Sequence, residues 1–221
     1  MKKTVFQIFL LCIILSGFTE KQPKVLIIGD SISIGYTPFV KEKLSGRMLI
    51  YHNPGNAQYT GVGLKNIRQW IGDGNWDIIQ FNWGLWDLCY RDTTVKSRVE
   101  RDKLNGKIFT ALEEYKTNLD SLVTILKTET NAKLIFVTTT YVPENEPGRF
   151  SDDLLKYNMA AKEIMKKHHI EINDLYEKSI NIHHLYGQGS DNVHYTKKGY
   201  DELSNYIIPI LKRCGEVETI L

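Results

Sequence analysis

Short apolar segments alternate along this chain with longer stretches in which apolar residues recur every three or four positions. The short segments predict β-strands, and several are almost continuously apolar, as strands buried on both faces of a sheet are. We predict five strands, at residues 24–29, 47–52, 76–82, 132–140 and 170–175.

The stretches between these strands predict amphipathic helices. In the longest, apolar residues from Ile108 to Leu126 fall on one helical face. Ser151 is predicted to be the N-cap of the next helix, because two aspartates follow it where the helix dipole favours acidic side chains. A last amphipathic helix follows Thr196.

Strands that alternate with helices predict a three-layer α/β domain built on a five-stranded parallel sheet. The chain has 221 residues and 42% hydrophobic content, which suits a single domain with a full core. We find no internal repeat, low-complexity tract or interdomain linker, so residues 20–221 are predicted to form that one domain.

The charge balance bears on the class of partner and not on the predicted fold. The 28 basic and 26 acidic residues leave a formal net charge of +2, and the basic residues are dispersed. A nucleic-acid-binding protein would carry a basic patch or stripe, so nucleic acid is not a predicted partner.

The first residues have the layout of a secretory signal peptide. Lys2 and Lys3 precede an apolar run from Val5 to Leu15, which is followed by small and polar residues. The run is shorter than the ~20 apolar residues of a membrane-spanning helix. We therefore predict a signal peptide at 1–19, cleavage near Thr19, and an exported protein in the periplasm or outside the cell, with no stable membrane span.

Three cysteines are present, and one lies in the predicted signal peptide. Cys12 follows a leucine where a lipoprotein cysteine follows a small residue, so we do not predict lipidation. Cys89 and Cys214 remain in the mature chain. Export permits a disulfide, but we predict two buried free thiols.

Candidate chemistry begins at the end of the first strand, in "KVLIIGDSISIGY". Asp30 or Ser31 could simply cap the helix that follows. The same position also suits a nucleophile, because ligands of parallel α/β sheets bind beyond the carboxyl ends of the strands. Free N–H groups at a helix start can stabilise an oxyanion. A serine hydroxyl needs a base before it can attack.

A base and an orienting acid are available in "GSDNVHYTKKGYDEL", just before the last helix. Asp191 and His194 are three positions apart, and a turn at that spacing can let the carboxylate accept a hydrogen bond from one imidazole nitrogen. The other nitrogen would face the serine. Alone, this pair could be a surface or capping pair; together with Ser31 it indicates a nucleophilic site.

These blocks resemble those of the SGNH (GDSL-type) hydrolases, whose first and last motifs match "IGDSIS" and "DNVHYT". The resemblance spans roughly residues 24–212. It implies a flavodoxin-like fold, no metal or other cofactor, and ester hydrolysis in which Ser31 is the nucleophile, His194 the general base and acid, and Asp191 the orienting carboxylate.

The family's two middle blocks, which supply the oxyanion hole, match less well. The glycine whose N–H contributes to the hole aligns with Gln58, or with Ala57 in the neighbouring register of "NPGNAQYTGVGL". The asparagine of the third block aligns with Asn82 by strand end, or with Trp86 by the glycine and aspartate of "FNWGLWDL". We favour Asn82, which needs no gap.

Two loops are predicted to line the mouth of the site with aromatic and basic residues, a surface that suits a sugar ring or an acyl chain. We favour removal of an acetyl group from a glycan. Hydrolysis of lipid esters, a weakly catalytic glycan-binding protein and a phosphate-binding turn at residues 29–31 are the alternatives, and the last lacks a glycine-rich fingerprint. The predicted mouth residues are Trp83, Trp86, Tyr90, Arg91, Tyr141, Arg149 and Phe150.

Overall fold

The structure is a computed structural model that describes residues 22–92 and 100–215. The predicted signal peptide lies outside the described residues. A central sheet of five parallel strands has the order β2-β1-β3-β6-β7, and each of its strands lies within one of the five predicted segments. These strands are β1 (Lys24–Ile28), β2 (Leu49–His52), β3 (Ile78–Phe81), β6 (Lys133–Val137) and β7 (Glu171–Asn173).

The helices pack in two groups, with α1, α5 and α6 in one and α2, α3 and α4 in the other. Together with the sheet they form the predicted three-layer sandwich. Counted within the sheet, the strand order is 2-1-3-4-5, the flavodoxin-like order. The helices are α1 (Ser31–Lys43), α2 (Thr60–Ile71), α3 (Leu112–Glu129), α4 (Ser151–His168), α5 (Tyr176–Tyr186) and α6 (Lys197–Gly215).

A small hairpin that the sequence pattern did not predict lies between β3 and α3. It pairs β4 (Tyr90–Arg91) with β5 (Lys107–Ile108) in antiparallel fashion. The prediction that Ile108 belongs to the long helix is therefore wrong. Pairing with β4 keeps Ile108 extended, and α3 begins only at Leu112. The start of α4 also differs by one residue, since Phe150 is its N-cap and Ser151 its first helical residue.

The sheet register brings the chemistry-bearing segments to one edge. Ile28 pairs with Phe81, and Phe81 pairs with Phe136, so the segments after β1, β3 and β6 leave the sheet side by side. The predicted free thiols are confirmed, because Cys89 and Cys214 are both buried and unbonded.

Candidate active site

Ser31 is the first residue of α1, and its hydroxyl does not cap the helix. Asp30 is the N-cap, with its carboxylate accepting a hydrogen bond from the N–H of Ile32 at 2.9 Å. The two capping alternatives are thereby resolved in favour of Asp30. The half-buried Ser31 hydroxyl is left available for another partner.

That partner is His194, whose Nε2 lies 2.9 Å from Ser31 Oγ although 163 positions separate the two residues. His194 lies in the segment between α5 and α6. A hydrogen bond from the N–H of Gln188 to the His194 carbonyl, at 2.9 Å, ties this segment back to the end of α5. The bridge between Gly187 and Tyr195 continues the same connection.

The predicted contact between Asp191 and His194 is absent from the structure. The Nδ1 of His194 lies 2.7 Å from Oδ1 of Asn192, and Asp191 is exposed. The reason is a turn in which the Asn192 N–H donates to the Gly189 carbonyl at 3.3 Å. Asp191 lies at the tip of that turn, whereas Asn192 follows it and places its side-chain oxygen beside Nδ1 of the imidazole.

The neighbours of His194 define its tautomer and its charge. Since Oδ1 of Asn192 is an acceptor, Nδ1 of His194 carries the proton, and the unprotonated Nε2 accepts the hydrogen bond from the Ser31 hydroxyl. Burial lowers the pKa of His194 below its ordinary value, and the nearby cations Arg149 and Arg101 lower it further, against a smaller opposite effect of Glu146. The imidazole is therefore neutral at pH 7, as a general base must be.

The backbone donors predicted from the second block are already used within the protein. The Gln58 N–H donates to Oδ1 of Asn56 at 2.8 Å, and the Ala57 N–H donates to the Gly29 carbonyl at 3.0 Å. Gln58 also adopts a left-handed backbone with φ of +49°, a conformation that glycine adopts without cost. Neither N–H is free for an oxyanion in this structure.

The third-block candidates differ in what they can still donate. Asn82 is buried at the end of β3 and uses one amide hydrogen on the Val137 carbonyl, at 2.7 Å. Its second amide hydrogen has no partner within the described residues, and the same holds for the backbone N–H of Ser31. Trp86 is half-buried, with the Arg91 guanidinium 4.8 Å from its ring centre.

The two predicted mouth loops pack against each other, but not every residue expected there reaches the surface. The Tyr90 and Phe150 rings meet edge to face with centroids 5.3 Å apart. Trp83 is an exception, because it is 1% exposed and its indole N–H donates to the Ala57 carbonyl. Arg149 is also buried and pairs with the fully buried Glu146 at 2.8 Å.

A second serine–histidine pair, which the sequence pattern did not reveal, lies close to the first. Ser33 Oγ is 2.7 Å from Nε2 of His52 and 2.8 Å from the Asp30 carbonyl oxygen. Ser33 is only 3% exposed, so this pair connects α1 to β2 and its hydroxyl is much less accessible than that of Ser31. Asn192 was missed as well, although Asn-x-His is the spacing of an Asx turn.

The described residues hold no group of three or more histidine, cysteine, aspartate or glutamate side chains placed to bind a metal ion. None of the helices in the described ranges is long and apolar enough to cross a membrane.

Comparison with known proteins reveals similarity through structure and not through sequence. No family model matches the sequence, and no curated protein matches it either. A lipase/acylhydrolase from Enterococcus faecalis superposes with a TM-score of 0.69 at 19% identity, over 87% of this chain and 96% of that one.

Two further solved structures show the same similarity. An acetylxylan esterase from Geobacillus stearothermophilus has a TM-score of 0.64 at 16% identity, covering 87% of this chain and 94% of its own. A GDSL-like lipase from Bacteroides thetaiotaomicron has a TM-score of 0.62 at 14% identity, covering 86% and 88%. The resemblance to the SGNH hydrolases is thus confirmed at the level of the fold.

Proposed function

We propose that this chain, which has the fold of the SGNH hydrolases, is a carboxylic ester hydrolase. Ser31 is its nucleophile and His194 its general base and acid. The observation that carries the proposal is the 2.9 Å contact between Ser31 Oγ and His194 Nε2 at the carboxyl edge of the sheet. Esterases and lipases among the similar structures support the same reaction class.

The reaction follows from the tautomer of His194. Ser31 Oγ attacks the ester carbonyl carbon while its proton passes to Nε2, and the resulting oxyanion is stabilised by the backbone N–H of Ser31 and the side-chain amide of Asn82. The bond between the acyl carbon and the alcohol oxygen then breaks, and the alcohol leaves with the proton from Nε2. Water hydrolyses the acyl-enzyme by the same route, with His194 as base again, which restores the Ser31 hydroxyl.

The proposal is tested by hydrolysis of p-nitrophenyl acetate. Ser31→Ala should abolish turnover and leave the fold intact, because Asp30 and not Ser31 caps α1. Ser121→Ala is the matched control, since the Ser121 hydroxyl is exposed on α3 and, among the residues that the structure describes, bonds only to the Thr117 carbonyl. An unchanged rate in Ser31→Ala would overturn the assignment.

Covalent labelling separates the two neighbouring serines. A fluorophosphonate probe should modify Ser31, since its hydroxyl is half-buried and hydrogen-bonded to the base. Ser33 lies two residues further along the same peptide and is buried. Tandem mass spectrometry of that peptide therefore has to assign the label by residue. A label on Ser33 would contradict the proposal.

For the substrate, we propose an acetyl group on a glycan, with lipid acyl esters as the second candidate. Support comes from the aromatic side chains of the mouth loops, among them the half-buried Trp86 and the 38% exposed Phe150. Aromatic faces beside polar groups suit sugar rings. A screen of acetylated glycans against p-nitrophenyl esters of increasing acyl length distinguishes the candidates, and a preference for long acyl chains would favour the lipid ester.

We further propose that the mature protein acts outside the cytoplasm. The support is the basic and apolar pattern of residues 1–19, which lie outside the described residues. Mass spectrometry of the protein from its native host should find an amino terminus near Glu20. An intact Met1 would contradict the export proposal without affecting the esterase proposal.

A further inference from the structure

The imidazole of His194 is held by a neutral amide where the family resemblance implies a carboxylate. Oδ1 of Asn192 lies 2.7 Å from Nδ1 of His194 and also accepts the backbone N–H of His194 at 3.1 Å. One oxygen thus binds both the ring and the main chain of the same residue. This double contact restricts rotation of the ring relative to the backbone.

Asn192 is itself held from several sides. The backbone carbonyl of Asn192 accepts a hydrogen bond from Nε2 of His183 at 2.6 Å, and His183 is buried near the end of α5. Its backbone N–H donates to the Gly189 carbonyl at 3.3 Å, and its amide nitrogen lies 3.4 Å from Oε1 of Gln188. These hydrogen bonds hold Asn192 in place independently of its contact with His194.

We infer that Asn192 is the positioning residue of His194, and that the base works with an amide behind it instead of the Asp191 carboxylate. This inference rests on the proposed function, because it concerns the same base. An amide oxygen holds the Nδ1–H tautomer as a carboxylate does, so Nε2 stays unprotonated toward Ser31. It lacks the negative charge that would favour the imidazolium.

The charges around His194 agree with a neutral partner. Burial lowers the pKa of His194, the nearby cations Arg149 and Arg101 lower it further, and Glu146 acts in the opposite direction. Asp191 lies next to Asn192 but is exposed at the turn. The base is therefore set to remain unprotonated at a lower pH than an imidazole paired with a carboxylate.

The experiment compares Asn192→Ala, Asn192→Asp and Asp191→Asn by steady-state kinetics across pH on p-nitrophenyl acetate. Asn192→Ala should lower kcat by about 10²-fold with little change in KM, the effect of a misplaced catalytic group. Asn192→Asp, unlike Asn192→Ala, keeps an acceptor oxygen for Nδ1 of His194, so it should retain most of the natural kcat at alkaline pH. Its added charge should move the acid limb of kcat/KM to higher pH.

The Asp191→Asn variant decides between the two candidate residues. A large loss of kcat in Asp191→Asn, with little loss in Asn192→Ala, would overturn the inference in favour of Asp191. An acid limb that does not move in Asn192→Asp would overturn it as well, and this variant carries the test if Asn192→Ala does not fold. Failure of the proposed function is distinguishable, because Ser31→Ala would then keep its activity.

Discussion

The carboxylate of Asp87 accepts the backbone N–H of Thr60 at 3.0 Å and the Thr60 hydroxyl at 2.6 Å. Asp87 belongs to the third sequence block, and Thr60 is the first residue of α2. Both residues are fully buried. A carboxylate from the loop after β3 thus caps the helix that follows the second block, and it joins the two blocks on which the oxyanion hole was predicted.

We expect Asp87→Ala to destabilise the protein by about 3 kcal/mol, because it leaves two buried donors of Thr60 without an acceptor. Urea denaturation gives the free energy of unfolding. Asp152→Ala is the control, since Asp152 is exposed in the first turn of α4 and should cost less than about 1 kcal/mol. Equal losses in both variants would show that Asp87 has no special role.

The titration of Asp87 gives a pH prediction. Burial raises its pKa from 3.8 to about 7, and the hydrogen bonds from Thr60 oppose that rise. Because the folded state holds the Asp87 proton more tightly, protonation stabilises the fold. This contribution is fully present below 3.8, the pKa of Asp87 in the unfolded chain, and it is lost as the pH rises through about 7. The stability of Asp87→Asn relative to the natural chain should therefore improve between pH 5 and pH 8. Denaturation at both values checks this, and a constant difference would contradict it.

The left-handed backbone of Gln58 predicts a stabilising substitution. At φ of +49° a side chain costs about 1–2 kcal/mol, which glycine avoids. Against this, glycine loses about 0.5–1 kcal/mol more chain entropy on folding. Gln58→Gly should therefore raise the free energy of unfolding by up to ~1 kcal/mol. Ala57→Gly, at the buried neighbouring position, should instead destabilise the fold. Thermal unfolding of both variants tests the pair, and a clear loss in Gln58→Gly would mean that the Gln58 side chain itself stabilises the loop.

The lowered pKa of His194 predicts the pH range of the proposed esterase activity. A general base must be unprotonated, so kcat/KM should fall only as pH drops through a value below 6.5, the ordinary pKa of histidine. Arg101→Gln removes one of the cations that lower this pKa and should move the midpoint upward. Arg68→Gln on α2, which breaks an exposed ion pair with Glu129 at the end of α3, should leave the midpoint in place. A natural midpoint at or above 6.5 would contradict the prediction.

The oxyanion hole is tested by comparing Asn82 with Trp86. Since one amide hydrogen of Asn82 has no partner in the described part of the chain, Asn82→Ala should lower kcat about 10²–10³-fold with little change in KM. Trp86→Phe should be mild, because the phenyl ring keeps most of the stacking with Arg91. Circular dichroism confirms folding, which matters since Asn82 also donates to the Val137 carbonyl. Near-natural kcat in both variants would leave backbone N–H groups as the sole donors.

Local pattern was sufficient for the strands of the central sheet. The five sheet strands were predicted because each is a short apolar segment between helical patterns, and β1, β3 and β6 are nearly continuous apolar runs because they are buried along most of their length. Ser31 and His194 could be paired from sequence because they occupy recognisable motifs at element ends, and parallel strands present their carboxyl ends at one edge. The hairpin that takes up Ile108 had no such signal, since each of its strands is two residues long.

Which atoms face the reaction was decided by tertiary structure. Asn192 replaces Asp191 behind His194 because the turn is anchored by Gly189 and His183, and a shift of one residue in a turn exchanges the side chain that points inward. The sequence made the Gln58 N–H a reasonable oxyanion donor, but in the structure this N–H donates to the Asn56 side chain. Sequence spacing identifies the residue types that can meet, whereas hydrogen-bond competition among neighbours in three dimensions determines which of them do.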